Sequence, residues 1–170
     1  MNDLLPLREV ETVRRQRRRA VRPEVLRAAG EIVEDVRRRG ETALVEHARR
    51  LGDLAEGAAW WRPRAELDAA LAGVDGATRA VLERTARRIE DFARRQRACL
   101  GDLTVPLLGG EAGHELAPME RAGCYAPGGR FPLPSSVLMT AVTARVAGVE
   151  QVVVASPRPS PVTLAAAALA

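Results

Sequence analysis

One short stretch, residues 123–136 with the sequence GCYAPGGRFPLPSS, constrains the fold more than any other part of the chain. Pro127 fixes its own φ and favours an extended backbone just before it. Gly128 and Gly129 permit backbone conformations that are closed to other residues. The sequence before this stretch reads as helices rich in arginine and glutamate, and the sequence after it alternates helix and strand. An extended segment therefore ends here in a tight turn.

Two serines follow this turn, and Ser135 or Ser136 can accept a backbone N–H as the N-cap of the next helix. A strand, a glycine loop and a helix N-terminus in this order form an arrangement that proteins use to bind an anion or a dinucleotide pyrophosphate. The spacing is not GxGxxG, so a purely structural turn explains the local pattern equally well.

Helical periodicity, together with glycine and proline at the helix ends, predicts four helices before residue 123. We expect them at residues 23–39, closed by Gly40, in a segment that includes residues 44–51 and is closed by Gly52, at residues 64–72, and at residues 77–98. The buried face predicted for the last helix consists of Val81, Thr85, Ile89, Phe92 and Ala93. His47, on the second helix, has no second ligand at metal spacing, so we interpret it as a surface or interface histidine.

Extended segments and helices alternate in the rest of the chain. Residues 103–108 and 115–118 flank a glycine-rich loop and predict a hairpin. A helix over 136–147, a buried parallel strand over 149–155, and a helix over 161–170 capped by Ser160 follow. A crossover helix is normally covered by a sheet that includes the next strand, which leads us to expect that the chain is truncated.

The composition excludes some classes of protein. The hydrophobic content of 46% argues against disorder. The apolar runs are too short to span a bilayer, and the start lacks a signal peptide, so we expect a cytoplasmic protein without membrane contact. Cys99 and Cys124 are expected to be free thiols.

All 26 basic residues are arginines, and the net charge is +4. The densest run, residues 14–19, has no aromatic residue to stack on bases. A solvated helical tail is the favoured interpretation, and a polyanion site is the alternative.

The central stretch also resembles the histidinol dehydrogenase family. The resemblance runs through residues 121–148 (RAGCYAPGGRFPLPSSVLMTAVTARVAG) and continues in QVVVAS at 151–156. Upstream it includes VRRRGETAL at 36–44 and RRIEDF at 87–92. It implies an α/β fold with a helical N-terminal tail and helices leading into the start of an incomplete Rossmann-like, aldehyde-dehydrogenase-like parallel sheet domain.

The resemblance further implies a division into an arginine-rich tail (1–22), a mainly helical segment (23–122) and the start of an NAD-binding domain (123–170). It implies NAD- and zinc-dependent oxidation of L-histidinol through the aldehyde to L-histidine, in a homodimer that completes each active site. Tyr125 is similar to the family's NAD-contacting tyrosine, and Gly128 and Gly129 shape the same loop.

Family members are considerably longer than this chain, and their zinc ligands and acid–base pair lie beyond residue 170. We therefore expect an N-terminal fragment that is inactive alone, and we assign it no catalytic or metal residue. Two alternatives remain open. One is a paralogous dehydrogenase that acts on another primary alcohol, such as a sulfonated diol. The other is a helical interaction or nucleic-acid-binding protein.

Overall fold

The computed structural model describes residues 9–11, 21–128 and 131–170, so the basic run at 14–19 and Gly129 lie outside the described residues. The chain divides into two compact units, residues 1–51 and residues 52–170, and each is described by itself. The three-part division implied by the resemblance stays a prediction.

The first unit contains a pair of helices, α1 (Pro23–Arg39) and α2 (Glu41–Arg50), which pack against each other. Pro23 occupies the first turn, where a missing N–H costs nothing. Gly40 separates the helices with a φ of 61°, a region that favours glycine. Both predicted helices are confirmed. Ala43 is the buried residue within these two helices, so little apolar surface holds the pair together.

The second unit begins with two further helices, α3 (Arg64–Gly73) and α4 (Gly76–Ala98). Asp75 is the N-cap of α4, because its Oδ1 accepts a hydrogen bond from the backbone N–H of Thr78 at 2.9 Å. Both helices lie where the sequence predicts them. They contribute different surfaces to the core, since α3 packs mainly on the last helix of the chain.

The buried face predicted for α4 is partly wrong. Val81 and Phe92 are exposed, with 49% and 63% of their surface accessible, whereas Leu82 is only 6% exposed. The face that packs inward follows a neighbouring row of the helix, composed of Leu82, Ala86, Ile89 and Ala93. Both rows have helical spacing, so the element that covers α4 decides between them.

The predicted hairpin exists, but its second strand was misplaced. The strands are β1 (Leu103–Leu107) and β2 (Gly110–His114), which pair antiparallel. The glycine-rich segment is itself β2, and the predicted strand at 115–118 is not formed. Gly109 has a φ of 90° and turns the chain immediately. Gly113 then approaches the backbone of β1 so closely that a Cβ would overlap a carbonyl oxygen.

The centre of the second unit is a parallel strand pair. β3 (Arg121–Tyr125) and β4 (Gln151–Ala155) pair in parallel, and the helix between them is α5 (Pro134–Val146). α5 packs on both strands, as a crossover helix does. α6 (Pro161–Leu169) follows β4 and packs against α3 and α5. The predicted strand–helix–strand–helix order is confirmed.

The start of α5 differs from the prediction. The helix begins at Pro134 with Leu133 as the N-cap residue and no side-chain cap, so Ser135 and Ser136 lie inside its first turn. The fixed φ of proline suits the first helical position, and it moves the start ahead of both serines. Ser160 caps α6 as predicted.

The core of the second unit lies between α4, α5, α6 and the end of β3. Its largest fully buried side chains are Val137 and Leu138 of α5. Around them pack Leu82, Ala126, Val142, Ala165 and Ala166. Alanine fills much of this core because α6 packs closely on its neighbours. Within the described residues, no helix has the length and apolarity needed to cross a membrane.

Ion pairs along the helix surfaces join arginine to a carboxylate three or four residues away. In the second unit these pairs are Arg64–Asp68, Arg79–Glu83 and Arg94–Glu90, and Arg62–Glu66 joins the segment before α3 to that helix. They are exposed, and each stabilises its helix by only ~0.3–0.5 kcal/mol. These paired arginines therefore belong to ordinary solvated surfaces.

Candidate functional site at the carboxyl edge of the parallel strands

The carboxyl ends of β3 and β4 lie side by side. Tyr125 is opposite Ala155 in the parallel register, and the N–H of Ala126 donates to the carbonyl of Ala155 at 2.9 Å. Ligands of α/β proteins bind outside the carboxyl ends of parallel strands, where the loops leave the sheet. Pro127 and Gly128, the described part of the predicted glycine loop, therefore lie at the edge where a ligand site is expected.

The two faces of this strand pair differ. Cys124 and Ala126 are buried on the face covered by α5, whereas Tyr125 is 63% exposed on the opposite face. Val153 of β4 is 44% exposed, so the prediction of a buried strand is wrong: Val152 and Val154 are half-buried on one face, and the other face is exposed. Tyr125 does not fill a cavity among the described residues. With 63% of its surface exposed, Tyr125 is accessible to a ligand.

Gly128 makes the closest approach in the site. A Cβ added there would overlap the carbonyl oxygen of Pro157, in the loop after β4. The glycine thus lets two loops of the protein meet, and this internal contact is sufficient to explain the residue. Gly129, the other predicted site glycine, lies outside the described residues.

The loop between β4 and α6, residues 156–160, contains two polar residues that the sequence reasoning did not select. The Oγ atom of Ser156 is buried and has no hydrogen-bond partner in the described part of the chain. Arg158 has a φ of 46° and forms a long ion pair of 3.8 Å with Asp53. Their position in the sequence could have identified them, because they follow the second parallel strand just as the glycine loop follows the first.

The donors at this edge suit a dinucleotide. α5 begins there without a side-chain cap, and unsatisfied N–H groups at a helix start attract anions. An exposed aromatic ring and a hydroxyl at Tyr125 suit a nucleoside moiety. The orphaned hydroxyl of Ser156 is a further donor. These residues fit NAD, the cofactor that the resemblance implies.

A second polar cluster lies in the first unit, between α1 and α2. His47 Nε2 lies 2.9 Å from Asp35 Oδ2, and Arg50 donates to His47 Nδ1 at 2.9 Å. Since Nδ1 accepts from a guanidinium, Nε2 carries the proton and donates to Asp35. Hydrogen bonds from Arg39 and Arg38 hold the pKa of the Asp35 carboxyl well below its ordinary value.

This cluster is structural. Both nitrogens of His47 are engaged by neighbouring side chains, and the imidazole, 19% exposed, crosses from α2 to α1. The prediction of an interface histidine is confirmed. His114, at the end of β2, is hydrogen-bonded to the carbonyl of Gly101 at 3.1 Å. Among the described residues there is no group of three or more His, Cys, Asp or Glu side chains that could hold a metal ion.

The fold and this edge together define a mixed α/β protein with a candidate ligand site at the ends of a parallel strand pair. A family model described as histidinol dehydrogenase matches residues 15–170. The chain belongs to the histidinol dehydrogenase family.

Curated relatives agree with this assignment. The chain is 40% identical over 149 residues to histidinol dehydrogenase of Bordetella parapertussis, a match that covers 84% of this chain and 34% of the relative. It is 43% identical over 157 residues to the protein of the same name from Bradyrhizobium diazoefficiens, with 89% and 36% covered. The chain therefore spans about a third of the length of the curated relatives it matches.

A solved structure is similar in fold. The crystal structure of histidinol dehydrogenase from Elizabethkingia anophelis superposes with a TM-score of 0.73 at 24% sequence identity, covering 91% of this chain and 36% of that one. The likeness extends over nearly all of the present chain and a limited part of the other.

Proposed function

We propose that this chain forms the N-terminal third of an NAD- and zinc-dependent histidinol dehydrogenase, which oxidises L-histidinol through the aldehyde to L-histidine. The family assignment supports the enzyme class. The observation that carries the cofactor role is the position of Tyr125, which is exposed at the carboxyl end of β3 beside the glycine loop.

In this proposal the described residues bind and orient the cofactor. NAD would supply the hydride acceptor for this oxidation, and residues of this chain would hold it. The ring of Tyr125 packs on the cofactor and its hydroxyl makes a hydrogen bond. Gly128 keeps the two loops together, so that the edge on which the cofactor lies is preformed. Gly129 is proposed as part of the same loop.

The residues described here do not fit the zinc role. His47 and His114 already have protein partners, and neither belongs to a group of three or more potential metal ligands among the described residues. We propose that the zinc ligands and the acid–base pair come from the remaining two thirds of the family's length, and that a homodimer in the cytoplasm completes the site. No chemical step is assigned to a residue of this chain.

A chimera tests the proposal. Residues 1–170 are joined to the remaining part of the Bordetella parapertussis relative and assayed with zinc, NAD and L-histidinol. We expect NADH production by the chimera and none by residues 1–170 or by the added part alone. Zinc-dependent turnover by the 170-residue chain would contradict the division of roles.

The substrate is tested in the same chimera. The described residues contain no group assigned to the imidazole or amine of histidinol, so a paralogous dehydrogenase is a competing class. Turnover with a sulfonated diol and none with histidinol would favour that alternative. Sequence-selective nucleic-acid binding at physiological salt would favour a role of the basic run at 14–19 instead.

A further inference from the structure

We propose that the β4–α6 loop, residues 156–160, is a phosphate-binding loop in which Ser156 and Arg158 are the donors. Naming the phosphate as part of a dinucleotide rests on the proposed function. The phosphate chemistry itself rests on the two side chains and on where the loop lies.

The Ser156 hydroxyl can form a hydrogen bond that it lacks within the described residues. Its Oγ is buried and unpartnered within the described residues, although the residue as a whole is only partly buried. A buried hydroxyl without a partner destabilises the fold. Rotation about χ1 moves Oγ between staggered positions, and because the residue is only partly buried, we infer that a rotated hydroxyl can donate to a ligand. A phosphate oxygen would accept a hydrogen bond from the hydroxyl.

Arg158 follows the same strand end and has an unfavourable backbone conformation. Its φ of 46° is in the left-handed region, where a residue with a Cβ is strained. The ion pair with Asp53 is long, at 3.8 Å, and the Arg158 side chain is 65% exposed. A guanidinium binds phosphate through two parallel hydrogen bonds, a stronger arrangement than this pair.

The position of the loop suits an anion. It leaves the carboxyl end of β4 and contacts the glycine loop through Pro157 and Gly128. It ends at Ser160, the N-cap of α6, where the positive end of the helix dipole lies. Asp53 is the carboxylate paired with Arg158, and a bound phosphate would compete with it.

Amide chemical shifts of the full 170-residue chain test the proposal. Inorganic pyrophosphate, ADP-ribose and adenosine are titrated separately. We expect pyrophosphate and ADP-ribose to shift the amides of Ser156 and Arg158, and adenosine to leave them in place. Shifts at Tyr125 without shifts in residues 156–160 would overturn the loop's role while leaving the cofactor proposal intact. Binding of pyrophosphate to the loop without any response to ADP-ribose would support the loop and contradict NAD.

Three variants and a control sharpen the test. Ser156→Ala and Arg158→Gln are each expected to weaken pyrophosphate binding about tenfold, and Asp53→Asn to strengthen it. Arg87→Gln, an equal charge change on the exposed side of α4, should change affinity less than twofold.

Thermal unfolding separates binding from folding. Removing an unpartnered hydroxyl should leave the melting temperature of Ser156→Ala unchanged or higher. Unchanged pyrophosphate affinity in both Ser156→Ala and Arg158→Gln would overturn the proposal, as would an equal loss in Arg87→Gln. If Ser156→Ala fails to fold, Arg158→Gln still decides the question.

Discussion

Gly128 packs directly against Pro157, so closely that any side chain at position 128 would overlap the Pro157 carbonyl oxygen. The contact joins the loops that leave two neighbouring parallel strands. A glycine in such a loop is commonly explained by the approach of a cofactor, but here its close neighbour is the protein itself. Glycine is therefore required at position 128 first of all by the packing of the two loops against each other.

Replacing Gly128 by alanine should strain this contact. We expect Gly128→Ala to lower the free energy of unfolding by ~1–3 kcal/mol, because backbone atoms must move to admit the methyl group. Gly123→Ala is the control, since nothing lies within 4 Å of a Cβ at that position. Denaturant unfolding of both variants measures the difference. Equal effects at the two positions would show that the loops separate freely.

Replacing Tyr125 should affect the cofactor more than the fold. In the chimera described above, we expect Tyr125→Ala to weaken NAD binding by ~1–3 kcal/mol, the scale of a lost ring contact and hydrogen bond. The ring is 63% exposed, so the free energy of unfolding should change by less than ~1 kcal/mol. NAD titration and thermal unfolding measure the two effects. Unchanged NAD affinity would refute the role of Tyr125.

Two adjacent residues of α4 should respond very differently to truncation. Leu82 is 6% exposed within the core, whereas Val81 is 49% exposed. We expect Leu82→Ala to lower the free energy of unfolding by ~2–5 kcal/mol through a cavity, and Val81→Ala to change it by less than ~0.5 kcal/mol. Denaturant unfolding distinguishes them. A larger loss at Val81 would restore the helix face predicted from the sequence.

Acid should weaken the α1–α2 pair through Asp35. Its carboxyl pKa is lowered chiefly by the hydrogen bond from Arg39, then by that from Arg38. A pKa lowered by folding contributes stability above the unfolded value, and this contribution is lost as the pH falls through the folded value. The loss should begin near pH 3.8, the ordinary value for the group, and continue below it.

Hydrogen exchange of α1 and α2 amides against pH measures this effect. Asp35→Asn should reduce protection near neutral pH and remove most of its acid dependence. Glu34→Gln is the control, because Glu34 forms an exposed pair with Arg37 on the surface of α1. An unaltered acid dependence in Asp35→Asn would assign the transition to other groups.

The sequence predicted the elements better than their packing. Pro23, Gly40 and Ser160 define helix ends by local backbone chemistry, so those ends could be found from residues alone. The buried row of α4 could not, because two adjacent rows have helical spacing and α5 and α6 select one. The hairpin was misplaced because Gly113 is needed for close strand approach, a tertiary contact.

The candidate site could be predicted only in part, because tertiary packing brings its two loops together. Tyr125 and Gly128 follow a recognisable strand and turn, which placed them at one end of β3. Ser156 and Arg158 lie some thirty residues further on and reach the same edge only through parallel pairing. A single-sequence pattern does not show that two separate loops meet. Nor does it show that the Ser156 hydroxyl has no partner within the described residues.

The arginine–carboxylate pairs along the helices have a chemical consequence. No lysine occurs in the sequence, so every basic side chain in these pairs is a guanidinium, which keeps its proton at far more alkaline pH than an amine does. The helix surfaces should therefore retain their pairs in alkaline solution. Reagents that acylate or crosslink lysine leave these side chains unmodified, and the exposed Cys99 thiol becomes the natural position for attaching a probe.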